Sequence, residues 1–191
     1  MNRREVLGIA AGTAGAMLIG DEASAQQAPA VVTAPPVDFS LPTTAGRDRM
    51  LSQLRGKVVV LFYETRGTIT QNQHVKDAMG VRFNRDRALA NRITLIAACN
   101  VAEYNSWPSQ YFAREAISAV ARSQRIELWL DWNRTLIQRL GLRDGASNIV
   151  IVDRTGVVRE RHAGRLADAQ VGTFLDRVIA MGDEGRVAAA S

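Results

Sequence analysis

The sequence predicts an α/β domain, a mixed central sheet with helices on both faces, in three layers. Three observations predict it. Residues 57–63, 93–99 and 148–152 are apolar runs rich in β-branched side chains, the pattern of strands buried on both faces. Segments of helical periodicity lie between the first two and after the second, and crossover helices between such strands imply parallel pairing. Asp153-Arg154-Thr155-Gly156 then separates two late strand-like runs with a tight turn, so the sheet also gains antiparallel strands.

The elements follow in order. Met1-Asn2-Arg3-Arg4-Glu5-Val6-Leu7 places paired arginines before a modestly apolar, Ala/Gly-rich stretch that ends at Ala23-Ser24-Ala25, a small-x-small cleavage pattern. Residues 1–25 are therefore expected to be a twin-arginine signal peptide and the mature protein to be periplasmic. No cysteine follows the apolar stretch, which excludes a lipoprotein anchor. No run approaches the roughly 18 apolar residues of a membrane span, so no stable membrane insertion is expected after cleavage. Residues 26–36, rich in Ala, Pro and Gln, read as a linker, 37–181 as the folded domain and 182–191 as a flexible C-terminal tail.

Within the domain, 57–63 is the first buried strand. Val75, Ala78, Met79, Phe83 and Leu89 fall at roughly helical spacing over 72–91. The second buried strand is 93–99. A helix opens at Ser109 after Pro108, with Phe112, Ala116, Ala119 and Val120 expected inward. Residues 127–130 form a short strand, and 135–140 a short helix that Gly141 ends. Strands 148–152 and 157–162 flank the tight turn. A last helix spans 168–180, with Asp168 as its cap and Val171, Phe174, Leu175 and Val178 on its buried face.

Composition narrows the chemistry. The net charge is +5, yet the arginines are scattered and form no run, which describes a solvated surface rather than a nucleic-acid face. The chain holds one cysteine, Cys99, and two histidines, His74 and His162. An internal disulfide is impossible, a multi-cysteine metal site is excluded, and no metal or other cofactor is expected.

Val37-Asp38-Phe39-Ser40-Leu41-Pro42, followed by Leu54-Arg55-Gly56-Lys57 and the apolar run, resembles the opening of redoxins and TlpA-type thioredoxin-like proteins. Leu140-Gly141-Leu142-Arg143 followed by residues 149–158 resembles their second half. The resemblance covers about 37–180 and implies a thioredoxin-like fold. Such proteins carry Cys-x-x-Cys after the first buried strand, where a helix N-terminus stabilises the thiolate. Here Gly67 and Thr70 stand at the two cysteine positions, and Ser147 stands where the family has a cis-proline. A peroxiredoxin register would place its cysteine near Gln71, which also lacks sulfur. The segment is most similar to the periplasmic YtfJ-type branch.

The resemblance implies a degenerate site. Thr65, Arg66, Gly67, Thr68, Thr70, Asn72 and Ser147 are the candidate binding residues at its edge. Backbone N–H groups with Arg66 suit a carboxylate or phosphate; Thr68 or Thr70 also suit helix capping. Cys99 ends the second strand on the same sheet edge and is either a lone reactive thiol or a small buried apolar residue. His74 reads as a structural or surface residue, and His162, at the end of a hairpin strand, as an exposed one. Trp107, Trp129 and Trp132 read as core or edge packing, with a partner-binding patch as the alternative. The expected role is a binding or accessory protein for a periplasmic protein or small ligand, not for nucleic acid. The alternative is a single-cysteine thiol peroxidase or reductase using Cys99.

Overall fold

The structure, a computed structural model, describes residues 34–187, with side chains to Glu184. The expected signal peptide and most of the linker lie outside the described residues. A small hairpin opens the domain, β1 (Ser40–Pro42) and β2 (Asp48–Met50). Then come β3 (Val58–Glu64), α1 (Gln73–Arg85), α2 (Leu89–Arg92), β4 (Ile93–Asn100), α3 (Ser109–Gln124), β5 (Leu128–Asp131), α4 (Thr135–Leu140), β6 (Asn148–Val152), β7 (Val158–Ala163) and α5 (Asp168–Val187). Five strands form one sheet in the order β5-β4-β3-β6-β7. β3, β4 and β5 are parallel, while β6 and β7 run antiparallel to their neighbours. Among the described residues, no helix is long and apolar enough to cross a membrane.

β3 explains the three layers. All seven of its residues are buried, and pleating sends them alternately to opposite faces. Val59, Leu61 and Tyr63 pack with Phe39, Trp129 and Leu136 on one face. Val58, Val60 and Phe62 pack with Val75, Met79, Phe174 and Val178 of α1 and α5 on the other. Each such buried side chain stabilises the fold by about 2 kcal/mol.

Several elements differ from expectation. The helix expected over 72–91 is two, because Asp86 leaves the helical region and its carboxylate accepts the Ala88 N–H, which starts a new turn. The last helix continues to Val187, beyond the end expected at 180 and into the segment read as a tail. The inward face of α3 is not Phe112, Ala116, Ala119 and Val120. Phe112 and Val120 are 66% and 50% exposed, and the helix contacts the sheet through Ala113, Ile117 and Ala121 instead. β4 is consequently less covered than a doubly buried strand, with Leu95 exposed.

The tryptophans divide. Trp129 and Trp132 are buried, Trp129 edge-on to Phe39, whereas Trp107 is 87% exposed. His162, expected at the surface, is half-buried, and its Nε2 is buried with no hydrogen-bond partner. Gly156 sits at φ +92°, conformational space that L side chains rarely enter, and a Cβ there would run into the Arg55 guanidinium that lies over the turn.

Candidate functional site

The carboxyl ends of β3 and β4 and the start of β6 meet at one sheet edge, where parallel α/β folds build sites. Between β3 and α1, residues 65–72 form successive turns rather than a helical start. The N–H groups of Thr68, Gln71 and Gln73 bond to carbonyls three residues back. The Thr65 N–H donates to Thr68 Oγ1 at 2.9 Å. Neither Thr68 nor Thr70 caps α1: the helix starts at Gln73 after Asn72, which makes no side-chain cap bond. Four of the amides that would form an anion cradle are thereby engaged, and Arg66, exposed, is the cation the loop presents.

Beneath the loop lies a polar network the sequence does not announce. Glu64, the last residue of β3, is buried. Its Oε2 accepts from Lys76 Nζ at 2.5 Å and its Oε1 from Ser147 Oγ at 2.9 Å. Asn72 Nδ2 donates to the same Ser147 Oγ at 2.9 Å and to the Gly164 carbonyl at 2.8 Å, while Asn72 Oδ1 accepts the Leu166 N–H. The Ser147 N–H donates to Gln71 Oε1 at 3.1 Å. Lys76 also donates to the Ile69 carbonyl and lies 5.3 Å from the Phe62 ring centroid. Asn72 and Ser147 thus meet as an internal tie between α1, β6 and the loop before α5. Ser147 has both its hydroxyl roles filled and no imidazole beside it, so it lacks the general base a serine nucleophile needs.

Among the other predicted residues, Thr65, Arg66, Gly67, Thr68 and Thr70 line the outer loop. His74 is half-buried on α1, with Nε2 2.9 Å from the Leu166 carbonyl and 3.5 Å from Asp168. The sequence reading missed Glu64, Gln71 and Lys76. A carboxylate closing an otherwise apolar strand, with one of only two lysines 12 residues on, was the available clue.

Cys99 pairs with Glu64 across β3 and β4. Burial, then the Glu64 charge, pushes its thiol up to about 11, against a smaller opposing effect of Lys76. A thiol so shifted is almost wholly protonated at neutral pH, the opposite of an activated cysteine. Iodoacetamide is expected to leave Cys99 unmodified in the folded protein at pH 7.5 and to label it after denaturation. Stoichiometric native labelling, read by intact mass, would overturn this.

Cys99 also lies at the floor of an open groove of about 640 Å³. Thr65, Arg66 and Ile69 of the loop form one end, and the groove continues along α3 past Phe112, Ile117 and Val120 to Leu128. Among the described residues, no cluster of His, Cys, Asp or Glu has the arrangement to hold a metal ion.

No protein-family model matches the sequence, and no curated protein is similar to it at a significant level. Solved structures are similar in fold. A thiol-disulfide isomerase from Corynebacterium glutamicum is 19% identical with a TM-score of 0.56, over 75% of this chain and 95% of that one. The exposed lipoprotein thioredoxin Etrx1 of Streptococcus pneumoniae is 14% identical with a TM-score of 0.53, over 75% and 99%. A secreted disulfide oxidoreductase of Mycobacterium tuberculosis is 15% identical with a TM-score of 0.50, over 74% and 95%. The fold is thioredoxin-like, as the sequence predicted.

Proposed function

We propose that this protein is an exported thioredoxin-like domain that binds a ligand or partner at the carboxyl edge of its sheet and carries out no dithiol exchange. One observation carries the reading. Where thiol chemistry would sit, the chain has Gly67 and Thr70 above a closed Glu64–Lys76–Ser147–Asn72 network whose polar groups satisfy one another. A single cysteine with a raised pKa supplies neither an attacking thiolate nor a resolving partner. Fold alone does not restore the activity, because function resides in site residues. Export is supported by the Arg3-Arg4 leader with Ala23-Ser24-Ala25, and by structural neighbours described as exposed or secreted. The glycine and threonine at the cysteine positions, with Ser147 before an apolar strand, favour the YtfJ-type branch.

Insulin reduction by dithiothreitol tests the redox half. The purified protein is expected to leave the onset of insulin precipitation where the dithiothreitol control puts it. Concentration-dependent shortening of that lag, abolished by Cys99→Ser, would overturn the reading.

A further inference from the structure

We infer that the groove along α3 is a binding site for a monomeric amphipathic anion, an acyl chain ending in a carboxylate, with its head at Arg66 and its tail toward Leu128. This deepens the binding reading above and rests on it.

Three features define the occupant. The first is size: about 640 Å³ lies in the range of sites for small organic molecules, roughly 300–1,000 Å³. The second is polarity. Arg66, Tyr104 and Ser109 stand at the sheet's carboxyl edge, and beyond them the walls are Phe112, Val120 and Leu128. From Ser109 to Val120 the helix rises about 16 Å, a span suited to an extended chain rather than a compact ring. The third is charge. Arg66 makes no ion pair among the described residues, and its guanidinium and the Glu103 carboxylate both act on the Tyr104 hydroxyl. A guanidinium at one end of an apolar trough complements an anionic head on an apolar tail.

The exposed face of α3 supports the same conclusion. The helix meets the sheet through small residues, Ala113 and Ala121 beside Ile117, which leaves Phe112 and Val120 in the open. Large apolar side chains lining a concave surface mark a site that something apolar covers.

Fluorescence titration of the full chain with 11-(dansylamino)undecanoate tests the proposal. Saturable enhancement is expected, reversed by dodecanoate and at least tenfold less effectively by dodecanol. Arg66→Ala is expected to weaken binding about tenfold, and Ala116→Trp, which fills the groove from an exposed helix position, to abolish it. Circular dichroism melts confirm that both variants fold. Absence of saturable binding, binding unaffected by Ala116→Trp, or equal displacement by dodecanol would each overturn the inference. So would co-sedimentation with phosphatidylglycerol vesicles without binding of the monomer, or retention of an extended peptide in place of the acyl probe. Insulin turnover bears on the preceding reading alone, so the two failures are separable.

Discussion

Asp131→Ala is expected to lower unfolding stability by about 3–5 kcal/mol, the largest single-site loss outside the apolar core. The carboxylate of Asp131 is fully buried. It accepts the Tyr63 hydroxyl at 3.0 Å and the N–H groups of Asn133, Thr135 and Leu136 at 3.2, 2.8 and 2.9 Å. Those amides are otherwise unpaired donors at the start of α4, so one side chain caps the helix and anchors the core. Alanine strands four donors, each costing about 1–3 kcal/mol if water cannot reach it. Tyr63 already carries the mark of this arrangement: burial, then the neighbouring Asp131 charge, pushes its phenol far above the ordinary range. Asp131→Asn retains one carbonyl acceptor and is expected to recover part of the loss. Tyr63→Phe removes a single partner and is expected to cost about 1–2 kcal/mol. Urea titration measures all three. A loss below 1 kcal/mol for Asp131→Ala would mean that solvent or a rearranged helix start replaces the carboxylate.

That device spans residues 63 to 136, which marks where the sequence stops being legible. β3 and β6 were readable because burial on both faces makes their composition unambiguous, and the hairpin turn was readable because Gly156 must take a positive φ. The inward face of α3 was not. Helical spacing from Phe112 places Phe112, Ala116, Ala119 and Val120 inward, whereas the helix seats on Ala113, Ile117 and Ala121, the next position round. Spacing alone does not choose between two adjacent apolar faces, and a helix that borders a groove need not bury the one that carries its bulkier side chains. The loop itself was readable as a site lacking sulfur. What replaces the sulfur was hidden, because Ser147 Oγ reaches Glu64 from 83 residues away and Asn72 reaches the same hydroxyl from 75 residues away. His162 misled for a related reason: its strand lies at the sheet edge, but α5 covers the face it occupies and pairs Arg177 with the neighbouring Glu160.

The second large effect concerns Glu64, where stability and thiol chemistry are expected to separate. Glu64→Ala leaves the Ser147 hydroxyl without its acceptor and the Lys76 ammonium, 21% exposed, with only a carbonyl partner. Breaking one side of a buried ion pair costs about 3–5 kcal/mol, reduced here by the partial exposure of Lys76. Glu64→Gln keeps an acceptor for Ser147 and is expected to cost less. The thiol gives an independent readout. Burial is the first cause of the raised Cys99 pKa and the Glu64 charge the second, while Lys76 pulls the other way. Removing the negative charge in Glu64→Gln therefore moves the iodoacetamide pH–rate inflection below about 11, and removing the positive charge in Lys76→Met moves it higher. Opposite signs are the discriminating result, because loosened packing exposes Cys99 in both variants and accelerates labelling in both. If the inflection falls in both, the carboxylate at the end of β3 is a strut for the loop and exerts no electrostatic control over the thiol paired with it.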